Sequence, residues 1–223
     1  GDVEVEIAID DPTLAVPRTI PVRVPTVRDA DEADGASTKD EVQTKGTSWV
    51  VAGKDRTGTS QKWSRVYAGK NAYWSIPNAG EPADHKLTSA SFKVEGDAFG
   101  LKFKHRFAFE SDARRKKDFD GGVVEVSLDG GSTWKDASEY GPVDYNVTLD
   151  NDTQGTNPLK GRKAFGNKSE GYPDVWREEV IKLRTGPAEA VQVRFRHGAD
   201  DNAVDKGWDI DDIELTDVAS KPF

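Results

Sequence analysis

The chain has 223 residues, a formal net charge of -9, no cysteine, and nearly as many charged residues (32%) as hydrophobic ones (35%). The length suits one large all-β domain with a short additional segment, and six tryptophans and nine phenylalanines argue against disorder. The lack of cysteine excludes disulfides, thiolate metal sites and cysteine nucleophiles. The acidic balance argues against nucleic acid as a partner, and no apolar run reaches the roughly 20 residues of a membrane span. Acids concentrate late: Asp200 to Asp217 holds eight against the single Lys206.

In chain order, Val3 to Ile9 alternates with a period of two, and Ile20 to Val24 follows a proline-marked break. Residues 1–28 read as two strands, either an edge hairpin or the tail of a preceding domain. Residues 29–40, rich in Asp and Ala with Gly35, read as an acidic linker. Residues 41–223 then form the main domain. Trp49, Trp63, Tyr67, Tyr73 and Trp74 lie among Gly, Ser and Asn, as expected of short strands joined by long loops.

Leu87 to Val94 is a strand candidate. In the clearest strand, Leu101, Phe103, His105, Phe107 and Phe109 share one face, and Lys102, Lys104 and Arg106 share the other. The run Arg114-Arg115-Lys116-Lys117 reads as a solvated loop. Val123 to Leu128 is the next strand, residues 141–175 form a long irregular excursion, and Val180–Leu183 and Val191–His197 are late strands. In the last strand Trp208 and Ile210 share one phase while Ile213 and Leu215 share the other. One extra residue at Asp211-Asp212 restores a common buried face, which predicts a β-bulge. Many short strands without helical periodicity predict a β-sandwich.

Ser127-Leu128-Asp129-Gly130-Gly131-Ser132-Thr133-Trp134 matches the Asp-box pattern at Ser127, Asp129, Gly131, Thr133 and Trp134. The aspartate is expected to bond amides inside the turn, with Trp134 packed over it. One copy points to a structural role, in which full burial of the indole would make Trp134→Ala cost about 3–5 kcal/mol. His105 and His197 fall on apolar phases and read as buried imidazoles. No zincin, nucleophile-elbow or Walker pattern occurs. Paired carboxylates for glycoside hydrolysis stay open, because their spacing is spatial. Asp211 and Asp212, adjacent at a bulge beside buried neighbours, call for neutralisation, and calcium with oxygen ligands would supply it outside the cell. A solvated acidic edge is the other reading.

Several segments in order carry a resemblance: Phe103 to Glu110, Phe119 to Ser127 with the turn after it, Asn157 to Phe165, Val193 to Gly198, and Gly207 to Ile213. From about residue 30 to 217 the chain resembles the MAM-like or galactose-binding-like jelly-roll modules of secreted bacterial proteins. It is similar in particular to C-terminal accessory modules of fungalysin-type and immune-inhibitor-A-type metallopeptidases. The resemblance implies an all-β jelly-roll sandwich of two antiparallel sheets, a secreted location, and a parent enzyme in cis, a protease. It also implies a structural calcium ion held by Glu41 with Asp211 and Asp212, although the family tends to carry a carboxylate where this chain has Gln43.

The expected function is that of a non-catalytic accessory module binding polysaccharide, protein or a cell surface. Tyr145, Phe165, Tyr172 and Trp176 in the excursion are the candidate ligand-binding aromatics. The alternatives are a folding, export or processing domain without a ligand, and a carboxylate-dependent glycoside hydrolase. Assayed alone, the purified chain is expected to show no protease, esterase or glycosidase turnover. Turnover that survives repurification and disappears in a point variant would overturn that expectation.

Overall fold

A computed structural model describes residues 2–9, 18–25, 38–43, 48–55, 63–78, 80–151, 156–201 and 205–223. The chain divides into two compact units, Gly1–Gly35 and Ala36–Phe223. In the first, β1 (Asp2–Ile9) pairs antiparallel with β2 (Arg18–Pro25), the two strands expected there. Most of the expected linker lies outside the described residues. Its end does not act as a linker: β3 (Lys39–Asp40) pairs with the last strand, so the sandwich begins before residue 41.

The second unit continues with β4 (Val50–Asp55), β5 (Ser64–Ala68), β6 (Asn71–Ile76), β7 (Ala83–Thr88), β8 (Phe92–Val94) and β9 (Phe99–Ala108). A small hairpin of β10 (Ser111–Asp112) and β11 (Lys117–Asp118) holds the basic run at its exposed turn. Then come β12 (Gly121–Ser127), β13 (Lys135–Asp136), β14 (Val147–Thr148) and β15 (Lys163–Gly166). The chain closes with β16 (Arg177–Leu183), β17 (Ala188–Ala199) and β18 (Gly207–Thr216). These strands make two antiparallel sheets, as expected of a jelly-roll sandwich. The larger runs β14-β15-β12-β17-β7-β4, with β13 on β12 and β8 on β17. The smaller runs β16-β9-β18-β6-β5, with β3 on β18.

Period-two alternation sets the inner faces. Leu101, Phe103, His105 and Phe107 of β9 meet Val124 and Val126 of β12 and Val193 and Phe195 of β17 in one core. Trp208 lies at its centre, fully buried, with ring centroids of Trp63, Phe195, Phe165 and His105 5.7–6.2 Å away. Its Nε1 donates to His105 Nδ1 at 3.2 Å, so the His105 proton sits on Nε2, toward Glu179 Oε1 at 3.5 Å. Burial holds His105 below the ordinary histidine pKa. In the facing sheet, Gly122 presents bare backbone to the Trp208 ring, and any Cβ there would fall inside the indole.

Two expectations hold at residue level. Pairing of β18 with β9 shifts register between Asp211 and Glu214, so a bulge brings Ile210 and Ile213 to the same core. Asp212 takes a left-handed backbone there, with φ 49°. The turn after β12 is closed from within: Thr133 N and Ser127 Oγ donate to Asp129 Oδ1, at 2.8 and 2.7 Å, and Thr133 Oγ1 donates to Oδ2 at 2.6 Å. These donors hold the Asp129 carboxyl down at about 2. Trp134 Nε1 donates to Gly131 O at 2.9 Å. The indole is only half-buried, which puts the cost of Trp134→Ala below the range for a fully buried ring.

The excursion is not irregular throughout. Leu149, Leu159 and Ala164 pack on Val123 and cover part of the outer face of β12, which is why every residue of that strand is buried. Gly122→Ala is expected to destabilise the fold by at least about 1–3 kcal/mol, because the facing indole leaves no room for a methyl group. Urea unfolding of the variant checks this, and an unchanged midpoint would show that the sheets separate without cost.

Candidate functional site

Among the described residues, the expected site aromatics part company. Phe165 is 1% exposed. It pairs with Gly122 through β15 and so takes the inward phase, its ring 4.6 Å from His105. Tyr145 is spent on the fold: Val124 N donates to its hydroxyl at 3.0 Å, and that hydroxyl faces Val124 O and Asp136 Oδ1, both at 3.2 Å. Burial pushes its pKa well above the ordinary value. Neither ring is presented to a ligand, because β14 and β15 fold the excursion back onto the larger sheet.

Tyr172 and Trp176 remain half-exposed. They lie at the outer face of the smaller sheet, where three residues that were not among the expected site residues join them. Arg106, on the outer phase of β9, places its guanidinium 4.5 Å from the Trp176 ring and 5.2 Å from that of Tyr73. Tyr73, on the outer phase of β6, meets Trp176 edge-on at 5.4 Å. Arg106 Nε donates to Asp209 Oδ2 at 2.9 Å and Nη1 to Pro173 O at 2.6 Å. Asp209 stands opposite Arg106 in the β18–β9 register. Lys168 Nζ lies 6.0 Å from the Tyr172 ring. Burial, and next the Asp209 charge, raise the pKa of the Tyr172 hydroxyl. The result is a patch of three aromatic rings with an arginine fixed among them and a carboxylate beside it.

The strand positions of Arg106 and Asp209 were legible, since both alternate with core residues. Their adjacency was not, because strand register across β9 and β18 is a tertiary fact.

The calcium set expected at the last strand is not gathered. Glu41 is exposed and paired with Lys39 at 2.9 Å. Asp211 Oδ2 accepts from Asn71 Nδ2 at 2.9 Å, and Asp212 Oδ2 meets the Lys104 ammonium at 2.7 Å. An ammonium and an amide already answer the two carboxylates, so these residues do not fit a calcium cage.

The only carboxylate trio gathered within 4.8 Å among the described residues is Glu110, Asp120 and Asp200, at the end where β9 and β17 stop and β12 starts. Asp120 is fully buried. Asp200 N donates to its Oδ1 and Asn78 Nδ2 to its Oδ2, both at 2.8 Å. Asn78 Oδ1 must then accept from His197 Nε2 at 3.0 Å, which places a proton on that nitrogen. Burial, with the nearby Asp200 and Glu110 charges, raises Asp120 to about 7. Burial and the parallel His85 ring, 5.8 Å away, lower His197 to about 3.

All three histidines, His85, His105 and His197, have no exposed surface, and neither has Asp120.

Asp120 makes stability depend on pH in a defined direction. Its folded value of about 7 lies above the unfolded value of 3.8, so the folded state holds the extra proton in between, and stability falls as pH rises from about 4 to 7. His197 opposes this, since the unfolded state holds the extra proton from about 3 to 6.5. The stability difference between wild type and Asp120→Asn is therefore the clean measure. It should fall by up to about 1.4 kcal/mol per pH unit between pH 4 and 7 in urea titrations. A pH-independent difference would mean that Asp120 does not titrate in this range.

No protein-family model matches the chain. No curated protein matches it either. Among solved structures it is similar to a cleaved adhesin domain of Lys-gingipain from Porphyromonas gingivalis, with 18% identity over 80% of this chain and 96% of that one, at a TM-score of 0.44. It is also similar to TmCBM61 in complex with beta-1,4-galactotriose, with 12% identity over 75% and 86% of the two chains and a TM-score of 0.40. A third is the C-terminal CBM6 of LamC, a marine laminarinase from Zobellia galactanivorans, with 11% identity over 75% and 99% and a TM-score of 0.34. Likenesses this distant carry no ligand or activity over to this chain.

Proposed function

We propose that this chain is a non-catalytic, ligand-binding accessory module of a secreted enzyme, and that it binds carbohydrate through Tyr73, Tyr172 and Trp176 around Arg106 and Asp209. The observation that carries the reading is the outward placement of these residues. Three rings that could have filled the core instead stand half-exposed around a fixed guanidinium. Aromatic faces stack on the C–H face of a pyranose, while an arginine–aspartate pair offers a donor and an acceptor to its hydroxyls. The parent enzyme, a protease by the resemblance, would gain residence time on a substrate or cell surface through the added contact.

The test is a glycan array and an insoluble-polysaccharide pull-down, followed by calorimetry on the best oligosaccharide. Trp176→Ala and Arg106→Gln are each expected to weaken binding at least tenfold, about 1.4 kcal/mol, without turnover of the ligand. Binding unaffected by both would remove this face as the site. A chain that binds nothing on array or polymer would leave the folding or processing role in its place.

A further inference from the structure

The outer face of the larger sheet carries a second set of charges, unrelated to the aromatic patch. Glu125 of β12, Arg194 of β17, Thr88 of β7 and Val50 of β4 form one row across it. Glu125 is 3% exposed and accepts from three arginines: Arg162 Nη1 at 2.5 Å, Arg194 Nε at 2.6 Å and Arg196 Nη1 at 3.2 Å. Arg162 also reaches Asp136 at 2.6 Å, and Arg196 and Lys86 both reach Asp84, at 2.7 and 2.8 Å. Four cations thus share three carboxylates, in a chain whose net charge is -9.

The unmatched positive charge falls on Arg194. Arg196 uses all three guanidinium nitrogens and Arg162 uses both Nη. Arg194 uses Nε alone, and among the described residues neither of its Nη atoms has a hydrogen-bond partner. Its guanidinium is nevertheless fixed, lying 4.0 Å from the Trp134 ring, which the 127–134 turn holds in place. Support for Trp134 needs only the stack and the Nε bond. A locked, planar fork with two unpaired donors, on a side chain 13% exposed and in a cluster with one cation in excess, has the chemistry of a carboxylate receptor.

The geometry points to a binding site for a uronate-bearing polysaccharide at Arg194 and Trp134. The sugar carboxylate takes the two Nη donors and supplies the missing negative charge. Around the fork the sheet offers Thr88, Lys86 and Gln192, groups suited to hydroxyls, and the exposed Val50, 62% accessible, at its margin. These polar groups around the fork favour a glycan over an acidic protein. The inference does not rest on the aromatic patch of the smaller sheet.

The test is calorimetry on the full chain with tetragalacturonate, its methyl ester and a tetraglutamate peptide, at low ionic strength. The free acid is expected to bind at least tenfold more tightly than the ester. Arg194→Lys, which keeps the charge and a partner for Glu125 but loses the fork, is expected to weaken it at least tenfold. Where Arg194→Lys fails to fold by its melting curve, the ester comparison on wild type decides alone. No binding of the free acid, equal binding of acid and ester, or a folded Arg194→Lys variant that binds normally would overturn the proposal. Tetraglutamate bound as tightly, with the same dependence on Arg194, would overturn the glycan assignment in favour of an acidic protein.

Discussion

The sandwich depends on how Trp208 is seated. One indole spans the space between the sheets, donates its only hydrogen bond to His105 of the neighbouring strand, and lies against the bare backbone of Gly122 across the core. Each partner is constrained in turn. Trp208 fixes the His105 tautomer, which turns Nε2–H toward the buried Glu179. Gly122 lets the indole lie against β12, and β15 pairs beside it and delivers Phe165 into the same cluster. A polar atom inside an aromatic core is costly unless paired, and here the pairing itself aligns β18 on β9. That alignment carries Asp209 to Arg106 on the opposite surface of the sheet. The inside of the smaller sheet thus determines what its outside presents.

Electrostatics divides the two outer faces. On the smaller sheet every cation of the β9 row has an acidic partner: Lys102 with Glu178, Lys104 with Asp212, Arg106 with Asp209. The two more exposed pairs, those of Lys102 and Lys104, contribute little to stability, but together the three leave the aromatic patch locally neutral. On the larger sheet the carboxylates are outnumbered and the central one, Glu125, is buried. Its three arginines hold it below the usual carboxylate range against a burial effect of the opposite sign. The two faces therefore offer ligands different chemistry, one by stacking and the other by charge.

Much of the fold was legible because it rests on local alternation. The strand from Leu101 to Phe109, the bulge at Asp211-Asp212 and the hydrogen bonding of Asp129 in its turn all followed from residue phase and turn chemistry. The site was legible only in part. Tyr172 and Trp176 could be picked out by type. Tyr145 and Phe165, equally aromatic and in the same segment, could not be told apart from them, because their fate depends on β14 and β15 folding the excursion back onto the sheet. Tyr73, Arg106 and Asp209 come from three separate strands, and only register unites them. The misplaced metal set has the same origin. Adjacent acids in sequence suggested a missing cation, while Lys104 and Asn71, distant in sequence, supply the compensation.

The Tyr145 hydroxyl occupies a place that a strand would ordinarily fill. β15 covers β12 at Gly121 and Gly122, β13 covers it at Glu125 and Val126, and between them the N–H and C=O of Val124 meet the phenol oxygen. A gap of two residues in an edge is where a foreign chain can begin to pair. The ring closes it with a side chain, which leaves the flanking loop free to vary in length without opening the sheet. The same plug makes this edge self-limiting in crowded surroundings: a second molecule reaching it meets an oxygen already engaged, and finds no ladder to extend.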